Sequence, residues 1–108
     1  MTEILARRDP KRPPMHPGVL LREDIIPALG KSKAEIARLL GVSRQTLNDI
    51  LREKQPVTVA MALRLGKLCG NGPVLWLNLQ RDVDLHREEA HLSKVIARIP
   101  TLETAHVE

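Results

Sequence analysis

The stretch Ser32–Arg52, SKAEIARLLGVSRQTLNDILR, decides the fold of this chain. It predicts two short amphipathic helices joined by a three-residue turn, each opened by a serine whose oxygen accepts a hydrogen bond from an unpaired backbone N–H. These caps are Ser32 and Ser43. Ala37 falls where the helices approach most closely, and Gly41 where the turn needs a positive φ. The apolar residues that hold the pair together are Ile36, Leu40, Val42, Leu47, Ile50 and Leu51. This pattern predicts a helix-turn-helix.

The outer face of the second helix carries side chains suited to reading DNA bases. The residues left pointing outward are Arg44, Gln45, Asn48 and Arg52. Arginine pairs with guanine through two hydrogen bonds, and glutamine or asparagine pairs with adenine in the same way. A plain helical bundle could also contain a glycine turn and a capped helix, but glutamate and lysine would dominate its solvated face. The sequence therefore favours DNA binding, with the second helix in the major groove.

Length and cysteine content predict one domain in a reducing compartment. A chain of 108 residues can bury a modest core without a metal or a disulfide. Cys69, the single cysteine, lies on an apolar helical face, and we expect it to be a buried free thiol. No segment reaches the length of a membrane span, and the proline-rich start does not read as a signal peptide. We therefore expect a cytoplasmic protein without a membrane partner.

Charge is distributed unevenly along the chain, whose net charge is +4. Residues 31–55 carry six Lys or Arg and three acidic side chains, and residues 1–14 carry four and two. Residues 80–108 reverse the balance, with four basic and six acidic side chains. A basic front and an acidic tail suit a protein that holds DNA on one surface and another partner elsewhere. Ordinary solvation would also account for these charges.

The rest of the chain predicts an all-α protein of five or six helices in three parts. Residues 1–14 form a flexible, basic, proline-rich arm, residues 15–85 the helix-turn-helix domain, and residues 86–108 a helical extension with a frayed tail. The first helix begins near His16 and Pro17, and Pro27 is expected to end it.

Two more helices follow the central pair. One begins after Thr58, ends at Gly70, and is expected to bury Ala60 and Leu63, with Met61, Leu65 and Leu68 as further candidates. The next follows Pro73 and carries Leu75, Leu79 and Trp76, which we interpret as a core anchor. Beyond it, an apolar stripe recurs at helical spacing until Pro100: Leu85, Leu92, Val95, Ile96 and Ile99. The sequence leaves open whether one helix or two carry the stripe.

The sequence contains no arrangement of residues suited to catalysis, metal binding or cofactor binding. His16, His86, His91 and His106 are dispersed, and the spacing of His86 and His91 does not place both rings on one helical face. No glycine-rich phosphate loop is present, because the Gly70–Gly72 segment is too short. With Trp76 as the only aromatic residue, stacking on single strands is not expected either. We therefore predict a protein that is not an enzyme.

From His16 to about Leu85 the chain resembles the HigA family of addiction-module antitoxins, also known as plasmid-maintenance antidote or virulence-associated protein I-like proteins. The resemblance rests on HPGVLLREDIIPALG, SKAEIARLLGVSRQTLNDIL, PVTVAMALRLGKLCG and PVLWLNLQRDVDL. The helix-turn-helix alone indicates only the larger lambda-repressor-like group. The HPG start combined with WLNLQ indicates a much narrower group of proteins.

The resemblance implies the antitoxin of a type II toxin–antitoxin system, which binds a small toxin, commonly an mRNA-cleaving ribonuclease. It also implies a homodimer that represses its own operon by binding operator DNA. The family's DNA-facing positions correspond here to Ser32, Lys33, Ser43, Arg44, Gln45, Thr46, Asn48 and Arg52, with Lys54 in the following loop. The toxin surface does not carry over. The alternatives are a stand-alone phage-type or metabolic repressor without a toxin, and an interaction module without DNA affinity.

Two positions depart from the family pattern, and a third carries a charge that is unfavourable for DNA binding. Glu53 stands where the family has a glycine after the second helix of the pair, so either Glu53 adopts a left-handed turn or, as we expect, the helix ends differently. Val19 replaces a glutamate after HPG, which should leave the fold unchanged. Asp49 would be repelled by phosphates. It could accept from a cytosine amine, but we expect an ion pair with Arg52.

One such unit reads too few base pairs to select a promoter. Two units related by a two-fold axis, with half-sites about 34 Å apart, would supply the selectivity. The candidate dimer surfaces are the region around Trp76–Leu79 and the apolar stripe from Leu85 to Ile99. The stripe could equally pack within its own chain or contact a toxin.

Overall fold

The computed structural model describes residues 13–103, and all regular structure in this part of the chain is helical. The first helix, α1, runs through the α-helical Pro17–Leu20, the π-helical turn Leu21–Ile25 and the α-helical Ile26–Leu29. The others are α2 (Lys33–Leu40), α3 (Arg44–Leu51), α4 (Val59–Cys69), α5 (Val74–His91) and α6 (Ser93–Ala97). This confirms the all-α prediction. Almost all of the predicted arm, residues 1–12, and the end of the tail, residues 104–108, lie outside the described residues.

The core forms where α1, α4 and α5 enclose the inner faces of α2 and α3. Trp76 of α5 is completely buried, which agrees with its interpretation as a core anchor. Its indole N–H donates to Asn71 Oδ1 at 3.3 Å, so the polar end of the ring has a partner. The other buried apolar side chains are Leu21, Ile36, Ala37, Leu40, Leu47, Ile50, Leu51, Val57, Met61, Ala62, Leu65 and Leu79.

Contrary to the prediction from Pro27, α1 continues to Leu29. The Ile26 N–H donates to the Leu21 carbonyl, five residues back, and this bond makes the preceding turn π-helical. Pro27 then falls in the first turn of the next α-helical segment, where its missing N–H is tolerated. The π-helical turn is therefore the physical reason that the proline does not end the helix. Gly30, with a φ of 67°, ends it instead.

The prediction for the inner face of α4 is wrong at two positions. Thr58 caps the helix and Gly70 follows its last turn as predicted, but Ala60 and Leu63 are exposed. The residues that face the core are Met61, Ala62, Leu65 and Gly66. Alanines on both sides of Met61 made two helical phases compatible with the sequence. The contact with the chain before α5 selects one of them, because a Cβ on Gly66 would lie 2.3 Å from the Gly72 carbonyl carbon.

The WLNLQ motif connects α5 to the loop that follows α3. Gln80 is 6% exposed, and its Oε1 accepts a hydrogen bond from the Val57 N–H at 2.8 Å. Its Nε2 donates to Asp84 Oδ1 at 3.0 Å, so both ends of the carboxamide are paired. Val57 itself is buried in the core. The motif therefore fixes the loop behind α3 as well as supplying the tryptophan.

Cys69 is less buried than predicted. Its side chain is only partly covered, at the edge of the core beside Leu68, because it occupies the last turn of α4. Burial raises the pKa of the Cys69 thiol, so the thiol is the form that the surroundings favour. It contributes to packing as a small apolar group.

The apolar stripe is carried by two helices, and it lies on the surface. α5 ends at His91, the chain turns at Leu92, and α6 ends before Pro100. Exposure along the stripe ranges from 37% at Leu92 to 61% at Ile99, so none of these side chains belongs to the buried core. In the other candidate dimer surface, Trp76 and Leu79 point into the core, while Leu77 and Asn78 between them are partly exposed. The described part of the chain measures 53 × 26 × 24 Å. None of the described helices is long and apolar enough to cross a membrane.

Candidate nucleic-acid interface

The helix pair is built as its sequence predicts. Ser32 Oγ accepts from the Glu35 N–H at 3.1 Å, and Ser43 Oγ accepts from the Thr46 N–H at 3.0 Å. Gly41 has a φ of 75°, a left-handed conformation that costs a residue with a Cβ about 1–2 kcal/mol. Both serines and the turn therefore hold α2 and α3 in a fixed relation.

The predicted base-reading side chains share the outer face of α3. Arg44 and Gln45 are exposed and Asn48 is half-buried, while the opposite face of the helix is buried. Within residues 13–103, Arg44 and Lys33 make no ion pair. Lys33, at the first turn of α2, is exposed as well. The pair thus presents two uncompensated cations and a row of amide groups to solvent.

Ser43 and Thr46 share a hydrogen-bonded pair at the amino end of α3. The Ser43 hydroxyl donates to Thr46 Oγ1 at 2.9 Å, in addition to accepting the Thr46 N–H. Since Thr46 Oγ1 accepts this bond, its own hydroxyl proton stays available for an outside acceptor. A threonine donor therefore accompanies the positive end of the helix dipole.

Asp49 does not form the predicted ion pair with Arg52. Its Oδ1 accepts from Gln45 Nε2 at 2.8 Å, one turn back on the same helix. The physical reason is geometric: Gln45 lies at i−4 within α3, whereas Arg52 is the C-cap, where φ is −92° and ψ is 8°. The bond holds the Gln45 carboxamide in place and leaves its Oε1 as a free acceptor.

The segment after α3 contains a left-handed turn at Glu53, so the expectation that the helix ends differently is wrong. Glu53 has a φ of 61°, and no other non-glycine residue within 13–103 has a positive φ. The helix therefore ends as it would with a glycine, at a cost of about 1–2 kcal/mol. Arg52 and Lys54, on either side of Glu53, are exposed.

α1 crosses the carboxyl end of α3 at very short range. A Cβ on Gly18 would lie 2.0 Å from the Ile50 carbonyl oxygen, so only glycine fits at this position of the HPG motif. One turn on, Arg22 Nη1 donates to the Leu51 carbonyl at 2.6 Å and lies 3.5 Å from Glu53 Oε2. Val19 leaves the fold unchanged, as expected: α1 still begins at Pro17.

His16 caps α1 through its ring. Nδ1 accepts from the Gly18 N–H at 2.9 Å, which requires this nitrogen to be unprotonated. Burial lowers the pKa of His16 and outweighs the opposing effect of the Glu53 and Asp84 carboxylates. The imidazole is therefore a neutral structural group. No three His, Cys, Asp or Glu side chains within 13–103 lie close enough to hold a metal ion.

A second arginine holds the carboxyl end of α2. Arg64 of α4 donates from Nη1 to the Leu40 carbonyl at 2.7 Å. Each helix of the pair therefore ends on a guanidinium from a neighbouring helix, a favourable arrangement at the negative end of a helix dipole. Sequence reasoning missed Arg22 and Arg64, because no local spacing relates an arginine to a carbonyl that lies 24 or 29 residues away.

The geometry is that of a helix-turn-helix protein, and comparisons with known proteins narrow the class. Residues 21–77 match the helix-turn-helix family HTH_3. Virulence-associated protein I of Dichelobacter nodosus is 36% identical over 88 residues, or 82% of each chain. Antitoxin HigA-1 of Vibrio cholerae is 31% identical over 93 residues, covering 81% of this chain and 88% of its own.

Solved structures agree with these relatives. Pseudomonas aeruginosa antitoxin HigA with the higBA promoter superposes with a TM-score of 0.77 at 38% identity, covering 85% of this chain and all of the other. Antitoxin GraA in complex with its operator gives 0.78 at 40% identity, covering 91% and 99%. The chain belongs to the HigA family of addiction-module antitoxins, within the lambda-repressor-like helix-turn-helix proteins. It is a member of a DNA-binding family rather than an enzyme family, as predicted.

Proposed function

We propose that this chain is the antitoxin of a type II toxin–antitoxin system, which represses its own operon as a DNA-bound dimer and neutralises a small ribonuclease toxin by direct binding in the cytoplasm. The observation that carries the DNA-binding part is the outer face of α3. There Arg44 makes no ion pair and Asn48 lies one turn further along, on a helix whose other face is fixed in the core. A solvated face of a structural helix needs no such set of base-reading groups.

The amino ends of α2 and α3 would bind phosphates and set the register of the protein on the duplex. Ser32, Ser43 and Lys33 surround these ends, where backbone N–H groups and helix dipoles favour an anion. Thr46 would donate its free hydroxyl proton to the same strand. These contacts supply affinity without selecting a sequence.

The middle of α3 would read base edges in the major groove. Arg44 is placed to pair with guanine, and Asn48 is placed to pair with adenine. Gln45, held by Asp49, would offer a fixed acceptor to a base amine. Arg52 and Lys54 would return to the phosphates at the carboxyl end of the helix.

The apolar stripe is the surface we propose for the dimer. Its five side chains remain exposed on α5, the turn after it, α6 and the segment after α6, and a concentration of exposed apolar residues in one part of a small protein favours an interaction site. A two-fold axis there would place two α3 helices on half-sites about 34 Å apart, or a multiple of that. This proposal also accounts for a helical extension that the core does not need.

Binding to DNA from the chain's own promoter tests the DNA-binding part. We expect fluorescence anisotropy to show specific binding that exceeds binding to scrambled DNA by at least about 10³-fold. Equal affinity for both duplexes, or none for either, would contradict it.

The proposed neutralisation of a toxin needs a test of its own, because some relatives are named only as transcriptional regulators. The Escherichia coli regulator YbaQ, described as an uncharacterized HTH-type transcriptional regulator, is 32% identical over 93 residues, covering 84% of this chain and 82% of its own. Co-expression with the product of a short adjacent gene should restore growth that this product alone arrests, and the two should co-purify. Promoter binding without growth rescue would indicate a stand-alone repressor.

A further inference from the structure

The carboxyl end of α3 contains a strained residue whose charge is unfavourable for DNA binding. Glu53 adopts a left-handed conformation with a φ of 61° and places a carboxylate between two exposed cations, Arg52 and Lys54. A glycine there would relieve the backbone and remove the charge. If α3 lies in the major groove, phosphates close to Lys54 would repel the Glu53 carboxylate.

Arg22 of α1 contacts both the carboxyl end of α3 and the Glu53 carboxylate. Its Nη1 lies 3.5 Å from Glu53 Oε2 and donates to the Leu51 carbonyl at 2.6 Å, while its Nε donates to Glu23 Oε2 at 2.9 Å. One guanidinium thus connects Leu51, the last residue of α3, with Glu53. The close passage of Gly18 over Ile50 keeps α1 at the distance this requires.

We propose that Arg22 is a positioning residue for DNA binding: it holds the carboxyl end of α3 and weakens the repulsion between the Glu53 carboxylate and the phosphate backbone. The inference rests on the proposed DNA-binding function and deepens it. Arg22 acts through Glu53, not by its own contact with DNA. Its contribution to affinity therefore depends on which residue occupies position 53.

The two possible roles of Arg22 differ in a measurable way. A guanidinium that contacted a phosphate directly would contribute the same affinity whatever occupies position 53, and its removal would lower the salt slope by about one in every background. A guanidinium that weakens the repulsion between Glu53 and DNA contributes to affinity only while Glu53 is charged. A double-mutant cycle separates these cases.

The experiment combines Arg22→Met with Glu53→Gln and measures affinity for promoter DNA by anisotropy. Methionine keeps an apolar stem but removes the cation, and glutamine keeps the side-chain length and the strained backbone but removes the charge. We expect Arg22→Met alone to weaken operator binding roughly tenfold, the size of one charge-assisted interaction. In the Glu53→Gln chain the same change should cost only about twofold, from the lost bond to Leu51.

Two further variants serve as controls. Arg81→Met removes an exposed arginine that lies near a carboxylate on α5, 3.9 Å from Asp82, and should leave operator affinity within about twofold. Arg22→Lys keeps a cation at position 22 and should retain most of the affinity, even if Arg22→Met melts too early to be measured. Circular dichroism melting of each variant confirms that the binding temperature lies below the transition.

The outcomes are distinct. Coupling of about fivefold or more between positions 22 and 53, with Glu53→Gln binding at least as tightly as wild type, supports the proposal. Equal losses on Arg22→Met in both backgrounds, or a Glu53→Gln chain that binds more weakly than wild type, overturn it while leaving the DNA-binding function intact. A wild-type chain with no affinity for its promoter overturns the proposed function, and this inference with it.

Discussion

Arg44 and Lys33 share the same surface but are expected to act in different ways. Arg44 extends from the first turn of α3, whose orientation is set by Ser43 and the buried Leu47. Lys33 lies at the first turn of α2, next to the Ser32 cap. The first side chain can reach a base edge, whereas the second is placed at a helix end that favours a phosphate. Removing each should therefore change a different property of binding.

Arg44→Ala should relax sequence selectivity. Loss of a bidentate contact to guanine costs about 1–3 kcal/mol in specific binding, with a smaller effect on scrambled DNA. Anisotropy with operator duplexes altered one base pair at a time measures the effect, and Arg81→Ala serves as the control. An unchanged base preference at every position would remove Arg44 from the base readers.

Lys33→Ala should weaken binding to every sequence alike. A lysine that neutralises one phosphate contributes about one unit to the slope of log affinity against log salt. Titrations at four salt concentrations, with operator and scrambled duplexes, give this slope. A slope identical to that of the wild-type chain would show that Lys33 contacts no phosphate.

His16 should make stability depend on pH below about pH 6.5, the ordinary pKa of histidine. Its pKa is lower in the folded chain than in the unfolded chain, so the folded chain binds fewer protons in this range. The stability it supports is therefore present above the unfolded pKa and is lost as pH falls through the folded pKa. Thermal melting should show a Tm that decreases on acidification in the wild type and decreases less in His16→Asn, whose carboxamide can cap the helix without titrating. Equal pH dependence in the two proteins would contradict this role.

At the level of elements, the order and caps of the helices follow from local sequence, whereas their inner faces and their contacts do not. Serine and threonine caps and the glycine at position 41 indicated four helix boundaries correctly, because capping is a short-range interaction. The prediction that Pro27 ends α1 was wrong, because a π-helical turn depends on packing outside the segment. The sequence was compatible with two inner faces of α4 that differ by one residue, and the contact of α4 with Gly72 selects one of them.

The turn between α2 and α3 offers a test of this packing. Gly41→Ala introduces a Cβ at positive φ that would also lie 2.8 Å from Arg64 Nη1 and displace it from the Leu40 carbonyl. Gly30→Ala has a similar φ but no atom within 4 Å of the added Cβ, so it measures the backbone strain alone. We expect Gly30→Ala to cost about 1–2 kcal/mol and Gly41→Ala about 1 kcal/mol more, by urea unfolding. Equal losses would mean that the Arg64 contact contributes nothing to stability.

The whole molecule is a helix-turn-helix domain with an apolar extension. The sequence indicated the domain, the outward-facing polar side chains of α3 and the existence of the stripe, because each follows from periodicity or a motif. It could not indicate that the stripe is exposed, nor that Arg22 reaches Glu53 across 31 residues, since both depend on how distant helices are placed. The pairing of Asp49 with Gln45 depended on the local path of Arg52 at the helix end.

Ile96→Glu tests whether the stripe forms the dimer. Ile96 is 50% exposed near the middle of α6, so a glutamate there is tolerated by the monomer but not by an apolar interface. Light scattering after size exclusion should show a wild-type dimer and a monomeric variant. Val74→Glu, at an exposed apolar position on the first turn of α5, is the control and should remain dimeric. A dimeric Ile96→Glu chain would place the interface elsewhere, and a monomeric wild type would contradict the proposed dimer.

Dimethyl sulfate footprinting of the promoter most directly tests whether α3 lies in the major groove. The reagent methylates guanine N7 on the major-groove edge and adenine N3 on the minor-groove edge, so the protected atom identifies the occupied groove. We predict protection of guanine N7 in two half-sites about 34 Å apart, or a multiple of that, with protection lost in Arg44→Ala. Bound DNA whose guanines stay fully reactive, or protection confined to adenine N3, would contradict the placement of α3.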